Sequence, residues 1–473
     1  MEQYDLRFGV LSDTHTIEGV PEAYALPDRL ARVLEWYNTQ PGVNTLAISG
    51  DVSYQGEEEH WESFYRTWNT YKGNLELVPA MGNHDSDRLD GTTTAFDRFR
   101  KNTGKEPLAH YVISGYHFIT VSPGLGTVTD TTATTGAGTG AIATARSAAS
   151  SSSGGGDMFD SAVKNWLRKR IDIAKNGSPE KPIFIFVHHP LRNTCYVSDI
   201  WYTTSFAADA SKGENPLDGF FRDDPQVVIF SGHIHSSNND PRSIWQGYVS
   251  GSQRGFTSVN VPSIYYYDLE AGRLGRSPDG TGNCNTPKNA DWITGAGQGL
   301  IVSVKGPKVK IENFDFDTGE GLRPLSDVAQ IPQTWEFDVS KPQEFPYTDE
   351  VRKTQKTAPV FDAGAEVRVL DVGETWVEVN FDQAKMPSAN PGNEVMHTYC
   401  FELVDKNTGN KRTVSQWSDF MLAPRLQKPT YTQLIGGLNA KTEYEMRISA
   451  CASFGSRSAG HIATAFTTLA HVL

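Results

Sequence analysis

Along the first two-thirds of the chain, short apolar runs alternate with segments whose apolar residues recur every three to four positions. "LRFGVLSD" gives way to "PDRLARVLEWYN", where Leu30, Val33, Leu34 and Tyr37 lie along one helical face and Pro27 stands near the start. "NTLAISGD" is followed in the same way by "EEEHWESFYRTWNTY", and "LELVPAMGNHD" by "TTTAFDRFRKNTG". Further on come paired strands around "HYVISGYHFITV", a helix in "DMFDSAVKNWLRKRIDIA", then "PIFIFVHHP", "VVIFSGHIH" and a hairpin in "GLIVSVKGPKVKIENFDF". Strand-then-helix alternation closing on hairpins predicts a layered α/β domain around mixed sheets.

The pattern changes twice. Residues 123–157 turn to Thr, Ala, Gly and Ser, a composition that buries too little apolar surface to offset its ordering entropy. This reads as a flexible surface insertion, either a lid or a neutral one. Residues 341–359, "KPQEFPYTDEVRKTQKTAP", read as a Pro- and charge-rich linker. Beyond them the chain is all strand, from "AEVRVLDV" to "IATAFTT", with turn signals between the runs, which predicts a β-sandwich. Within it "LNAKTEYEMRISA" (Leu438 to Ala450) resembles the fibronectin type III corner, in which a Leu, a turn and a Tyr precede a strand. The expected organisation is therefore a domain over 1–340, a linker over 341–359 and a sandwich over 360–473.

The length of 473 residues fits two domains. A net charge of −13 argues against gripping a nucleic-acid duplex through a basic face. No apolar run approaches the roughly 20 residues of a membrane span, and the first strand follows "MEQYD" almost at once. The expected location is exported or cell-envelope if a signal peptide has been trimmed, and cytoplasmic otherwise. Cys195, Cys284, Cys400 and Cys451 show no Cys-x-x-Cys spacing, so buried thiols are expected, with a Cys400–Cys451 disulfide left open.

Chemistry enters at the strand ends. "FGVLSDTH" stops at Asp13 and His15, two apart and so able to converge on one point. The other runs end alike: "LAISGD" at Asp51, "LVPAMGNHD" at Asn83, His84 and Asp85, "IFIFVHH" at His188 and His189, and "VVIFSGHIH" at His233 and His235. In an open α/β sheet the loops beyond the strands' carboxyl ends lie side by side, so these residues can share one site. Asp, Asn and His without a thiolate suit Mn, Fe or Zn.

In this order the blocks D-x-H, G-D, G-N-H-D, H-x-P and G-H-x-H resemble the calcineurin-like metallophosphoesterase superfamily over about residues 5–315. The resemblance implies a four-layer α/β/β/α sandwich and two divalent or trivalent transition metal ions. One would be held by Asp13, His15, Asp51 and His235, the other by Asp51, Asn83, His188 and His233, with Asp51 as bridge. Such a pair, ~3.5–4 Å apart, would bind phosphoryl oxygens and supply a bridging hydroxide. His84 would stabilise the transition state or protonate the leaving oxygen, oriented by Asp85. Asn83, His189 and Arg192 are candidate substrate contacts, as are Asn193, Tyr202 and Arg254.

His60, His110, His117, His397, His461 and His471 lie outside every block and read as structural or surface residues. "GDVSY" matches the G-D-x-x-Y form of purple acid phosphatases, but those enzymes carry Gly where this chain has His15, so Tyr54 is read as a packing residue or supporting donor. The Asp-Thr-His opening with Gly-Asn-His-Asp resembles the branch containing cyclic-nucleotide and glycerophosphodiester phosphodiesterases. Asp51 is followed by "VSYQGEEE", without the arginine of the protein-phosphatase block G-D-x-V-D-R-G. The expected activity is hydrolysis of small phosphodiesters. The alternatives are phosphomonoester hydrolysis, or a binding or adhesion protein that keeps the fold as scaffold. The sandwich domain is expected to offer a surface or carbohydrate contact.

Overall fold

The computed structural model describes residues 3–17, 26–86, 95–122, 128–130, 143–145, 159, 161–203, 206, 216–248, 255–269, 291–294, 297–316, 328–422 and 427–471. The chain divides into two compact units. One runs from Met1 to Thr348 apart from Asn239–Pro241 and Leu269–Asp291; the other is Asp349–Leu473 together with those two segments.

In chain order the first unit begins with β1 (Leu6–Leu11), α1 (Leu26–Thr39), β2 (Val43–Ser49), α2 (Glu58–Tyr71), β3 (Glu76–Ala80) and α3 (Ala95–Thr103). It continues with β4 (Leu108–Ile113), β5 (Tyr116–Val121), β6 (Val128–Asp130), β7 (Ala143–Ala145), α4 (Ser161–Gly177), β8 (Ile183–Val187) and β9 (Asp223–Ser231). Then come β10 (Ile244–Tyr248), β11 (Gly255–Asn260), β12 (Tyr266–Leu269), β13 (Asp291–Thr294), β14 (Gln298–Lys305), β15 (Lys308–Asp315) and β16 (Ala329–Asp338). Two six-stranded sheets result, in the orders β16-β15-β14-β1-β2-β3 and β10-β11-β9-β8-β5-β4. The runs β1-β2-β3 and β5-β8-β9-β11 are parallel, and antiparallel strands complete both sheets. Only β6 and β7, paired antiparallel, represent the 123–157 insertion; the rest of it lies outside the described residues.

Alternation along the strands sorts their side chains into two cores. Phe184 and Phe186 of β8 join Phe8, Val10, Phe118, Val228, Phe230, Leu300 and Val302 between the sheets. Ile183, Ile185 and Val187 point the other way, into the core that takes Leu30, Val33 and Leu34 of α1, Trp61 and Phe64 of α2 and Trp166 and Leu167 of α4. Strands covered on both faces read as continuous apolar runs, which is how they read in the sequence. Helix α1 is fixed to the first sheet by Tyr37 Oη, 3.2 and 3.0 Å from the Val10 and Leu300 carbonyl oxygens. Helix α4 is fixed to the second by Arg168 and Lys175, 2.6 and 2.8 Å from the buried carboxylate of Asp224. The first unit is thus the α/β/β/α sandwich expected.

The segment 341–348 belongs to this unit and is not a bare linker. Phe345 is buried and Tyr347 half-buried in the core between the sheets, and Tyr347 Oη accepts the Glu336 N–H at 2.8 Å. Two aromatic side chains in an otherwise polar run are enough to dock it. The second unit opens with α5 (Asp349–Thr354) and pairs β17 (Val367–Val372), β18 (Trp376–Asp382) and β21 (Thr430–Gly436) in one sheet. The facing sheet orders β20 (Lys411–Trp417), β19 (Met396–Asp405), β22 (Glu443–Ala452) and β23 (Ile462–Thr467). All pairings are antiparallel, and Phe381, Tyr399, Phe401, Tyr431 and Met446 fill the space between the two sheets. At the corner before β22, Tyr444 Oη accepts the Asn439 N–H at 2.9 Å. Cys400 is buried and not disulfide-bonded, so the Cys400–Cys451 disulfide is not formed. Among the described residues no helix is long and apolar enough to cross a membrane.

Phe8 is the hub of the core between the sheets, its ring 4.8 Å from that of Phe118 and 5.0 Å from that of Phe184. Phe8→Ala is expected to cost about 3–5 kcal/mol, read as a lowered midpoint of chemical denaturation; a loss under about 1 kcal/mol would show that the two sheets are not held together there.

Candidate metal centre

Five of the seven parallel strands of the first unit deliver polar residues to the same end of the sandwich. Asp13 and His15 follow β1, Asp51 follows β2, Asn83 and His84 follow β3, His188 follows β8, and His233 and His235 follow β9. The two sheets are joined directly at this end: His188 Nδ1 donates to the Ser49 carbonyl at 2.9 Å, and the Asp13 carboxylate accepts the His233 N–H at 3.1 Å.

The turns that do this are strained. Asp13, His15, Asp51, His233 and His235 all have positive φ, between 41° and 70°. Each is a non-glycine residue in the left-handed region, at roughly 1–2 kcal/mol apiece. Such strain persists where surrounding structure over-determines it, and it clusters at functional sites. Two glycines of the motifs serve close approach. A Cβ on Gly82 would stand 2.0 Å from Asp51 Oδ1, and one on Gly232 would stand 1.9 Å from Ser12 Oγ and 2.3 Å from Asp13 Oδ2.

The donor atoms converge. His235 Nε2 lies 3.1 Å from Asp13 Oδ1 and 3.2 Å from His15 Nε2, and His15 Nε2 lies 3.7 Å from both Asp13 Oδ1 and Asp51 Oδ2. On the other side His188 Nε2 is 3.1 Å from Asp51 Oδ2. Within 4.8 Å of one another lie donor atoms of Asp13, His15 and His235, of His15, Asp51 and His84, and of Asp51, His188 and His233. Asp51 is the carboxylate common to the last two groups. Asn83 Oδ1 and His233 Nε2 are buried without a hydrogen-bond partner among the described residues.

Tautomers follow from the outer contacts, because a carbonyl oxygen can only accept. His188 Nδ1–H donates to Ser49, His235 Nδ1–H to Tyr266 at 3.1 Å and His84 Nδ1–H to Tyr54 at 2.7 Å. In the neutral rings this leaves each Nε2 lone pair facing the cluster, the arrangement used by metal-ligating histidines. Lone pairs of imidazole and carboxylate at 3.1 Å repel unless a proton or a cation lies between them. The residues therefore fit metal ions.

Electrostatics agree. Burial pushes the Asp13 carboxyl up, but His235, His15 and His188 outweigh it and hold it well below its ordinary value. Asp51 is likewise lowered against its burial, chiefly by His188 and His84. Burial would lower His188, yet Asp51 and Asp13 raise it to about 9. Burial lowers His15 to about 4, and burial with the neighbouring His188 lowers His189 to about 3. Near neutral pH the metal-free cluster keeps a proton on His188.

Several expected partners sit differently. Asp85 makes no hydrogen bond to His84. Its carboxylate accepts from Val52 N, Ser53 N, Ser53 Oγ and Gly82 N at 3.3, 2.8, 2.8 and 2.9 Å, so it ties the loop after β2 to the loop after β3. Burial and the nearby Asp51 raise its carboxyl to about 6. Orientation of His84 comes from the Tyr54 carbonyl, and the Tyr54 ring packs edge-on to His60 at 5.7 Å. His189 is buried with its ring 4.0 Å from that of His233, and neither of its nitrogens has a hydrogen-bond partner. Arg192 lies over the ring of Tyr202, the Asn193 N–H bonds the Ser198 carbonyl, and Arg254 lies outside the described residues. His110 and His117 pair with each other at 2.8 Å in the β4–β5 hairpin.

Sequence reasoning missed the supports: Ser49 and Tyr266 as carbonyl acceptors, Ser53, Ser263 whose Oγ donates to the Asp13 carbonyl at 3.1 Å, and Trp201, whose ring is 5.6 Å from that of His233. A backbone acceptor carries no residue signature. The aromatic run at 265–267, next to His15 and His235, was the one visible cue.

Residues 6–237 match the family model described as calcineurin-like phosphoesterase. No curated protein matches the sequence. Among solved structures, a redesigned β-sandwich protein shares 19% identity over 25% of this chain and 96% of its own, with a TM-score of 0.17. A myokine structure shares 18% over 24% and 97%, TM-score 0.17. The fibronectin type-III domain of human fibronectin type III domain containing protein 3 shares 19% over 24% and 91%, TM-score 0.17. At such scores these likenesses carry no argument, and the description of the sandwich rests on its own strand order.

The His188 proton makes a measurable statement. Its folded pKa of about 9 lies above the unfolded value of about 6.5. The stability it gives the metal-free protein is complete below the unfolded value and is lost as pH rises through the folded one. A cation needs the Nε2 lone pair, so binding near neutral pH must expel that proton. Calorimetric titration of Mn or Zn in buffers of different ionisation enthalpy is expected to show release of about one proton per chain, with affinity rising towards alkaline pH. Heats independent of the buffer would show that His188 is not where the metal competes.

Proposed function

We propose, from the match of residues 6–237 to the calcineurin-like phosphoesterase model, that this protein is a dimetal phosphoesterase acting on small phosphodiesters. The observation that carries the dimetal reading is Asp51, whose carboxylate stands between the His15 and His188 imidazoles at 3.7 and 3.1 Å. On this reading Asp13, His15, Asp51 and His235 hold one Mn, Fe or Zn ion, and Asp51, Asn83, His188 and His233 hold the other. Two such ions would neutralise phosphoryl oxygens and lower the pKa of water at the site.

The protein's own residues do the rest. Asp51 keeps its Oδ1 on the His84 N–H at 2.9 Å, which leaves Oδ2 to face the imidazoles. His84 is partly exposed, and its Nδ1–H is committed to Tyr54, so in the protonated, imidazolium form Nε2 is the atom that would give its proton to the leaving oxygen. The Asp85 clamp holds the loops of Asp51 and His84 in register, so acid and bridge keep their spacing. The preference for diesters is supported by the sequence after Asp51, which lacks the arginine of the protein-phosphatase block. A diester carries a single negative charge and demands less cationic recognition.

Two lesions should separate these roles. Asp51→Ala is expected to abolish turnover together with metal retention. His84→Ala should keep both metals by elemental analysis and lose roughly 10²- to 10⁴-fold in kcat. Two retained metals and near-normal rates in Asp51→Ala would refute the bridge.

Substrate class is tested by rates with added Mn, Fe or Zn. Bis(p-nitrophenyl) phosphate or a cyclic nucleotide is expected to be cleaved faster than p-nitrophenyl phosphate or a phosphopeptide. A consistent preference for monoesters would overturn the diester assignment and leave the phosphoesterase one standing.

A further inference from the structure

The loop between β8 and the 3-10 turn at Pro216–Asp218 returns on itself beside the candidate metal centre. Thr203 N donates to the Pro190 carbonyl at 2.9 Å, and Leu191 and Thr203 form an isolated parallel bridge, so residues 191–203 make a closed excursion. Inside it Thr194 Oγ1 donates to the Leu191 carbonyl at 2.7 Å, Thr194 N to Ser198 Oγ at 2.8 Å, and Tyr196 N to the Arg242 carbonyl at 3.0 Å. Asn193 turns the chain with a φ of 58°. The loop is thus built on its own hydrogen bonds and anchored to the sandwich.

What it presents is a row of three side chains. Trp201 is half-buried, its ring 5.6 Å from that of His233 and nearly perpendicular to it at 82°. Tyr202 follows, and the Arg192 guanidinium carbon lies 4.6 Å from the centre of its ring. Among the described residues Arg192 has no carboxylate within ion-pair distance, and its Nε is buried without a hydrogen-bond partner. A guanidinium over an aromatic face uses its face for the ring and has its in-plane N–H groups as the edge that can bind an oxyanion. In a chain of net charge −13, an arginine held next to a ring and without a counter-ion among the described residues is unusual.

We infer that Arg192, held by Tyr202 on this loop, is the group that grips the substrate's phosphate, in place of the arginine missing after Asp51. This rests on the phosphoesterase reading of the same site and adds to it the recognition element which that reading lacks. Trp201 sets the distance, because its ring packs against His233 and fixes the loop with respect to the donors. Arg192 is a specificity residue here: it binds oxyanion and leaves the proton chemistry to His84.

The test measures binding and turnover separately on the full-length, metal-loaded protein. Inorganic phosphate is titrated calorimetrically into wild type, Arg192→Gln and Arg192→Lys, and metal content is checked for each. Arg192→Gln is expected to weaken phosphate roughly tenfold or more, to raise KM for bis(p-nitrophenyl) phosphate by a similar factor and to keep both metals. Arg192→Lys, with charge but no fork, should fall between the two. Phosphate binding unchanged in Arg192→Gln overturns the inference, as does loss of metal in both variants. Arg192-dependent phosphate binding in a protein that hydrolyses no ester would refute the phosphoesterase reading and uphold this one. Ester hydrolysis with Arg192→Gln indistinguishable from wild type would do the reverse.

Discussion

Two carboxylates and three imidazoles, those of Asp13, Asp51, His15, His188 and His235, are buried within a few ångströms of one another, and outer hydrogen bonds turn the Nε2 electron pairs of His188 and His235 inwards. Burying a charge without a partner costs several kcal/mol per ion, so such a cluster has to be held by something stronger than its own members. A proton on His188 is one partial remedy, and a cation is the complete one. The need to reconcile these groups explains why the loops around them are so constrained.

The scaffold meets that need from outside the cluster. Carbonyls of Ser49, Tyr54 and Tyr266 each take an Nδ1–H, so the directions of Nε2 in His188, His84 and His235 are set by backbone and not by another titratable side chain. Asp85 binds four groups of two neighbouring loops. Five backbone positions are driven into the left-handed region, and glycines stand where any Cβ would strike Asp13 or Asp51. These devices are costly one by one and are kept because the two rigid sheets behind them, locked through Phe8 and its neighbours, over-determine the loops.

The division of labour between loops is equally clear. Those after β1, β2, β3, β8 and β9 supply the clustered donors, and the 191–203 excursion supplies aromatic and cationic surface at one flank. None of the clustered donors comes from the sandwich of the second unit.

Much of this was legible in the chain. The apolar runs were enough for the layered fold and for the β-sandwich, because period-2 and period-3.6 patterning are local properties, and the residues that end the runs supplied the candidate donors. The fate of 341–348 was not, since a polar run docks or hangs free according to whether a core has room for its Phe345 and Tyr347. The role of Asp85 was misplaced for a related reason: adjacency to His84 in sequence says nothing about which backbone groups lie within 3 Å of a carboxylate after folding. The sequence by itself determined which side chains could bind a metal and that they would meet at one end of two sheets. Only the tertiary structure decided which nitrogen of His84, His188 and His235 faces inwards, which carboxylate stands between the imidazoles and which arginine lies over the Tyr202 ring. Those depend on distances between backbone atoms hundreds of residues apart, and no local pattern encodes them.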